Sequence, residues 1–291
     1  MIRIIYDGAD LDGISSAAIV VRDAQRDFSL HPADYGKLPD LTQFGDQDTV
    51  YVLDFSFPPK EMAGLARRVR SLIWIDHHAS AIREAAESEY AGMLERLPGI
   101  RRSGQAACVL TWEWVHADDP VPLSIKLLGE YDVWRHDDPD TLPFQHGMRY
   151  MDLKPDSPEW EDLLSDYKDL SEILELGRIV MRYDRLMKKR AVSSAFLAVI
   201  HGMKVLALNG TGGSEAFKDA SPDLLEKAEA LCTFVYDGKT GRWRYGLYHA
   251  PGHEDLDLSR TAAKYGGGGH RGACGFQHDD DIITPSRLAK E

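Results

Sequence analysis

Three short apolar runs in the first quarter of the chain, "IRIIY" (residues 2–6), "VYVL" (50–53) and "LIWI" (72–75), are rich in β-branched or aromatic residues and each is followed by an acid. That pattern predicts buried strands. Between them, "SSAAIVVRDAQ" and "PPKEMAGLARRVR" carry apolar residues at helical spacing, the second opening on prolines where a first turn tolerates them. Strands alternating with helices predict an α/β fold: a doubly wound, mostly parallel sheet with helices on both faces. From Pro158 to about Phe196 the apolar positions recur every three or four residues among charges, which predicts a helical connector. Beyond it, "AFLAVI", "KVLAL", "LCTFVYD", "WRYGLYH" and "GACGFQ" read as strands, with helices expected at Ser221 to Leu231 and Leu256 to Tyr265. The expected organisation is therefore a first domain over 1–157, a connector over 158–195 and a smaller α/β domain over 196–291.

Composition narrows the class. The chain has 291 residues, 43% hydrophobic and 28% charged, as expected of a globular protein with a real core in each domain. No apolar run is long enough to span a bilayer, and "MIRIIYDGAD" lacks the basic and apolar regions of a secretion signal, so a cytoplasmic, membrane-free protein is expected. Cys108, Cys232 and Cys274 are odd in number and widely spaced, which fits buried core positions rather than a disulfide framework or a paired-thiol zinc site. A net charge of −13 argues against binding long duplex nucleic acid, whose affinity comes mainly from Lys and Arg on phosphates. It leaves open a site that takes phosphate through metal ions. The sequence is compatible with a homodimer but carries no feature that specifies one.

The acids at the strand ends are the first candidate chemistry. Asp7, Asp54 and Asp76 each follow a predicted strand, and in an open parallel sheet those ends face one crevice. The loop "YDGADLDG" adds Asp10 and Asp12, with Gly8 and Gly13 expected to permit tight turns, and "GEYDVWRHD" adds Asp132. A single Asp is usually a cap or a turn residue. Strand-end placement repeated three times points instead to one shared site. So many carboxylates together would take up protons unless a cation were present, and no Lys or Arg run lies beside them in sequence. Carboxylate oxygens with the imidazoles of "LIWIDHHAS" suit divalent Mn²⁺, with Mg²⁺ or Co²⁺ as alternatives. Two such ions bridged by one carboxylate, typically about 3.5–4 Å apart, can activate a water and stabilise charge on a phosphoryl group. One histidine of the pair would ligate metal while its neighbour faces the substrate, and Asp76 is expected to orient His77 through the second ring nitrogen.

A second constellation is "KYGGGGHRGACGF". Its glycines allow backbone N–H groups close to an anion, and His270 and Arg271 add charge-assisted donors. A bare glycine run is more often a flexible turn, but this one lies between a predicted helix and a predicted strand.

Taken in order, "YDGADLDG", "VLDF", "IDHH", "GEYD" and "GGGGHRGACGF" resemble the DHH phosphoesterase superfamily, the last segment looking like its DHHA1 substrate domain. The resemblance covers nearly the whole chain and implies a catalytic domain holding two divalent cations, often Mn²⁺, with a second domain closing the cleft. It implies Asp10 on one metal, Asp12 on the other and Asp54 bridging them, with His77 and Asp132 completing the second. It further implies His78 on the scissile phosphate, Asp76 holding His77, and Gly267, Gly268, Gly269, His270 and Arg271 on a terminal phosphate or nucleotide. Many members begin the first motif with His; here Asp7 stands there and is taken as a first-metal ligand.

Members act on single strands, very short RNA, phosphoadenosine phosphate, cyclic dinucleotides or phosphoanhydrides. The compact chain looks most like the short-oligonucleotide, nanoRNase-like branch, so the expected activity is hydrolysis of a phosphodiester in a short oligonucleotide by a metal-activated water. Two readings compete with it: a 3′-phosphonucleotide phosphatase, and a nucleotide-binding module whose catalysis has decayed. Arg101, Arg102 and Ser103 could meet phosphates and Trp134 could stack a base, while Trp112 and Trp114 read as core; all of these stay outside the candidate site.

Overall fold

The structure is a computed structural model that describes residues 1–24, 27–34, 38–117, 119–165 and 169–285. It divides into two compact units, Met1–Met181 and Arg182–Glu291.

The first unit runs β1 (Ile2–Asp7), α1 (Leu11–Asp23), β2 (Phe28–Ala33), β3 (Thr49–Leu53), α2 (Pro59–Arg68), β4 (Ser71–Ile75), α3 (Ala79–Glu87), α4 (Ala91–Leu94), α5 (Ala107–Val115), α6 (Leu123–Asp132), α7 (Thr141–Met151), α8 (Glu159–Leu163) and α9 (Ser171–Val192), the last continuing into the second unit. Its four strands are all parallel, in the order β2-β1-β3-β4. Alternation along the strands fills two layers, which makes the sheet doubly wound. Ile5, Val50, Val52, Leu72 and Trp74 pack with Met62 and Leu65 of α2, whereas Ile4, Tyr6, Leu53, Ile73 and Ile75 pack with Ala17 and Val20 of α1 and Leu110 of α5. Strand β2 carries no continuous apolar run, only "FSLHPA" at the sheet edge, and for that reason hydrophobic patterning misses it. On the other edge, an extended segment follows β4 in parallel: Trp74 N–H donates to Pro98 O at 2.9 Å and Asp76 N–H to Ile100 O at 3.1 Å.

Trp160, Leu163, Leu164, Leu170 and Ile173, all within the stretch that reads as a connector, are buried in the first unit with Phe144 and Met148 of α7. The apolar face that gives this stretch its helical periodicity is thus core-facing in its first half. Residues 166–168 of the stretch lie outside the described residues.

The second unit runs β5 (Phe196–Ile200), β6 (Met203–Asn209), α10 (Pro222–Leu225), β7 (Ala230–Asp237), β8 (Arg242–His249), α11 (Ser259–Lys264), β9 (Gly268–His270), β10 (Ala273–His278) and β11 (Thr284–Pro285). Its seven-stranded mixed sheet has the order β11-β5-β6-β7-β8-β10-β9. The helix expected over Ser221 to Leu231 is only the four residues of α10, because Ala230 and Leu231 are drawn into β7, which is paired on both sides. Tertiary pairing there outweighs local helix propensity.

Candidate metal centre

The strand order reverses between β1 and β3, β2 lying on one side of them and β4 on the other. Crevices at such reversals, outside the carboxyl ends of the strands, are where open α/β sheets bind ligands. Asp7 ends β1, Asp54 follows β3 and Asp76 follows β4, so the three acids line that end of the sheet.

Asp54 turns the chain with φ of 52°, a left-handed conformation that Asp adopts more readily than most residues, while its N–H still donates to Ile75 O at 3.0 Å. Its carboxylate is buried, and Oδ1 lies 3.3 Å from His77 Nε2 and 3.9 Å from His78 Nδ1. Asp132, the last residue of α6, brings Oδ2 within 3.3 Å of the same His77 nitrogen, and Asp12 Oδ2 lies 3.6 Å from it. One imidazole nitrogen is thus ringed by three carboxylates from distant parts of the chain. Two groups of side chains, Asp12 with His77 and Asp132, and Asp54 with His77 and His78, present ligand atoms that all lie within 4.8 Å of one another.

Asp12 is held by more than the cluster. Its carboxylate accepts the backbone N–H of Ala107 at 2.8 Å and of Cys108 at 2.6 Å, the first residues of α5, where helix amides are otherwise unpaired. Gly13 follows because the start of α1 presses on the end of β1: a Cβ there would run into the Asp7 carbonyl. Close approach, rather than the expected turn, requires that glycine. Asp10 caps α1, its Oδ1 accepting from Asp12 N–H at 3.0 Å and Gly13 N–H at 3.1 Å. Asp7 Oδ1 accepts from Ala9 N–H at 2.7 Å. Neither Asp7 nor Asp10 enters the two ligand groups among the described residues.

Asp76 pairs with the other histidine from the one expected. Its Oδ1 accepts the backbone N–H of His77 at 2.7 Å but faces the ring of His78, at 2.7 Å from Nδ1. The ring of His77 is turned to Asp12, Asp54 and Asp132 instead. Oδ2 of Asp76 accepts from the Ser56 hydroxyl, which in turn accepts from Trp74 Nε1 at 3.0 Å. Ser56 and the amides of Ala107 and Cys108 are the supports that sequence patterning overlooks. A serine two residues after a strand-end acid is a weak signal, and no local feature announces a contact spanning some 95 residues.

Electrostatics follows the geometry. Burial, then repulsion from Asp12, Asp10, Asp132 and Asp76, pushes the Asp54 carboxyl well above the usual range. Burial, with Asp12 and Asp10 adding to it, pushes Asp132 up to about 7. Burial also raises Asp12 and Asp7. Burial would raise Asp76 too, but hydrogen bonds from His78 and Ser56 outweigh it and hold the group below its ordinary value. The hydrogen bond to Asp76 raises His78. Oδ1 of Asp54 and Oδ2 of Asp132 are buried without a hydrogen-bond partner. Buried, partnerless carboxylate oxygens facing an imidazole nitrogen are the donor set of a divalent cation site.

The glycine-rich segment lies in the second unit as the β9–β10 hairpin, His270 pairing with Ala273 across Arg271 and Gly272. The N–H of Gly267 donates to Ala262 O at 3.0 Å, so it closes the end of α11 rather than standing free for an anion. A Cβ at Gly267 would strike the Gly275 carbonyl and Phe276; at Gly268 it would meet nothing within 4 Å, and Gly269 is left-handed with φ of 133°. His270 and Arg271 are exposed, and Arg271 Nη2 donates to Asp255 O at 2.7 Å. Elsewhere, Arg101 lies over the Trp74 ring and donates to the carbonyls of Trp74, Pro98 and Glu95, while Arg102 pairs with Glu113 at 2.6 Å. Trp112 is core, but Trp114 is 38% exposed and is not, because it falls on the outward face of α5.

No known family model matches the sequence. Among curated proteins, the uncharacterized protein R106 of Acanthamoeba polyphaga mimivirus is 22% identical over 301 residues, covering 94% of this chain. The chain spans 66% of the length of that relative. The structure superposes on the pGpG-specific phosphodiesterase PggH of Vibrio cholerae with a TM-score of 0.54 at 14% identity, over 95% of this chain and 93% of that one. It superposes on the DHH domain of a member of a family of ribosomal proteins with a TM-score of 0.53 at 15% identity, over 98% of this chain and 82% of that one. The chain has the DHH fold. Within that fold, the acid and histidine cluster lies at the carboxyl ends of the parallel strands, and no helix among the described residues is long and apolar enough to cross a membrane.

Proposed function

We propose that the chain is a metal-dependent phosphoesterase that hydrolyses phosphodiester bonds in short oligonucleotides. The observation that carries the reading is the convergence of Asp12, Asp54 and Asp132 on His77 Nε2, with buried oxygens of Asp54 and Asp132 left without hydrogen-bond partners. Support comes also from the shared fold, one of whose similar structures is a phosphodiesterase acting on the dinucleotide pGpG.

On this reading Asp12, Asp54, His77 and Asp132 hold a pair of divalent cations with Asp7 and Asp10, Mn²⁺ fitting the mixed oxygen and nitrogen donors best. Bound there, the cations supply Lewis-acid stabilisation of a phosphoryl group and a more acidic water. The protein's own contribution lies in the Asp76–His78 pair. Asp76, fixed by Ser56 and two backbone amides, keeps the Nδ1 side of His78 occupied and leaves Nε2 to donate to a phosphoryl oxygen as charge builds on it. The hydrogen bond to Asp76 raises the His78 pKa, a shift that favours the protonated ring. His270 and Arg271 of the second unit, with the exposed backbone at Gly268 and Gly269, are assigned to a terminal phosphate, and the two units act as catalytic and substrate-binding domains.

Incubating the purified protein with Mn²⁺ and, separately, a dinucleotide, a pentanucleotide and 3′-phosphoadenosine 5′-phosphate tests this reading, with products resolved by anion exchange. Consumption of the oligonucleotides is expected. Consumption of phosphoadenosine phosphate alone would replace the reading with a phosphomonoesterase. Bound Mn²⁺ with no turnover of any of the three would sink it.

A further inference from the structure

Just beyond Asp132 the chain does something unusual with its backbone. Helix α6 ends in a two-bond closure in which Trp134 N–H donates to Tyr131 O at 3.1 Å and Arg135 N–H to Glu130 O at 3.0 Å. This is the Schellman arrangement, whose pivotal residue is left-handed and usually glycine. Here the pivot is Trp134, with φ of 53°. The largest side chain thus occupies a position where having none is cheapest, and it is not there to be buried: Trp134 is 77% exposed, the most exposed of the large hydrophobic residues among those described. A second non-glycine residue, His136, is also left-handed, with φ of 48°. Local strain of this kind persists where surrounding structure enforces it, and it concentrates at ligand sites.

The two strained residues support each other. The ring of Trp134 lies 5.2 Å from that of His136 and 6.1 Å from that of Tyr131, and Tyr131 and His136 are 5.5 Å apart, all distances typical of interacting aromatic pairs. Arg149 sits over Tyr131, its Cζ 5.1 Å from the ring centre. An exposed ring backed by other rings is held in place before any ligand arrives, which lowers the entropy lost on binding. Its location is equally specific. Trp134 is two residues from Asp132, so their Cα atoms are at most about 7 Å apart, and Asp132 Oδ2 is one of the oxygens facing His77.

We infer that Trp134, backed by Tyr131 and His136, is the stacking platform for a nucleobase of the substrate whose phosphate lies at the acid and histidine cluster. The inference rests on the phosphoesterase reading for the phosphate and on the aromatic geometry for the base. Stacking needs only a π-face, so the platform favours a base at that position without selecting which one. It also separates nucleotides from phosphate compounds without a base.

The test uses the full chain with Ca²⁺ as the cation to suppress turnover, and reads binding of a labelled 5′-phosphorylated diadenylate by fluorescence anisotropy. Trp134→Gly should weaken binding by about 5- to 140-fold, the range expected for one stacked base. Trp134→Phe should stay within about 3-fold, since a smaller ring still offers a face. An abasic counterpart of the dinucleotide should bind wild type and Trp134→Gly alike. Glycine is the residue this backbone prefers, so the melting temperature of Trp134→Gly should be equal to or above that of wild type. Unchanged diadenylate affinity in Trp134→Gly, an equal loss for the abasic ligand, a lowered melting temperature, or a wild type that binds no diadenylate would each overturn the inference. Diadenylate that binds through Trp134 yet is never hydrolysed with Mn²⁺ would remove the phosphoesterase reading and leave the stacking platform standing.

Discussion

The Asp12 carboxylate accepts the backbone N–H of Cys108 at 2.6 Å, tying the first turn of α1 to the start of α5 nearly a hundred residues later. The same carboxylate lies 3.6 Å from His77 Nε2. Asp12 therefore has two tasks, one structural and one at the candidate metal centre, whereas Asp54 has no hydrogen-bond partner on Oδ1 and stands among acids that repel it.

That contrast makes opposite predictions for the cation-free protein. Asp12→Ala strands two helix amides and should lower stability by about 1–3 kcal/mol. Asp54→Asn keeps a residue that tolerates the left-handed backbone and removes a repelled buried carboxyl, so stability at pH 8 in EDTA should be unchanged or higher. Urea midpoints with EDTA report the first quantity and Mn²⁺ content by atomic emission the second. Both variants should lose bound metal. Equal destabilisation by the two would remove the distinction drawn between these acids.

Stability of the cation-free protein should fall as pH rises from about 4 to 8. Asp132 titrates at about 7 in the fold against about 3.9 in an unfolded chain. Between those values the folded chain keeps a proton that the unfolded chain has released, so raising pH favours unfolding. Asp54 and Asp12, also raised, act in the same sense. His78, with a raised folded value, contributes stability that is complete below its unfolded value of about 6.5 and is lost as pH passes its folded value. His31, lowered chiefly by burial, opposes them. Melting temperatures in EDTA across this range should decline, Asp132→Asn should flatten the decline, and Mn²⁺ should restore stability at pH 8. A melting temperature that climbs through the window in EDTA would contradict the assignment.

Changing the Asp76–His78 pair should separate chemistry from metal binding. His78→Ala should keep its Mn²⁺ content while turnover of a dinucleotide drops by about 10²–10³-fold, the usual effect of removing one donor to a developing charge. In Asp76→Asn the His78 pKa should fall back toward its ordinary value, visible as a downfield-shifted imidazole proton titrating at lower pH by NMR. Loss of metal in His78→Ala would instead make this histidine a ligand.

In the glycine-rich hairpin, packing and accessibility predict different outcomes at adjacent positions. Gly267→Ala drives a methyl into the Gly275 carbonyl and Phe276 and should cost about 1–3 kcal/mol of stability, while Gly268→Ala, with open space around its Cβ, should stay within about 0.5 kcal/mol. Thermal unfolding of the two variants side by side decides it.

The strand-end acids were legible in sequence because β1, β3 and β4 are largely buried and read as short, mostly apolar runs, each followed by the acid that matters. Strand β2 was not legible, since an edge strand with His31 and Pro32 satisfies no hydrophobic pattern. Convergence of Asp54 and His77 followed from topology alone, but which histidine Asp76 would hold did not. Adjacent residues point in different directions after a strand, and only the turn beyond Ile75 decides that Nδ1 of His78 reaches the carboxylate. The hold of Ala107 and Cys108 on Asp12 is likewise a product of packing between α1 and α5 that no local spacing encodes.

The extended segment alongside β4 has a further consequence. With Pro98 and Ile100 accepting hydrogen bonds from Trp74 and Asp76, that border of the four-stranded sheet offers few free amides to a foreign strand, and at the opposite border Pro32 interrupts β2 with a residue that cannot donate. Both flanks of the sheet that bears the acids are thereby blunted as templates for strand addition, so the unit can keep a strongly apolar interior without inviting edge-to-edge aggregation.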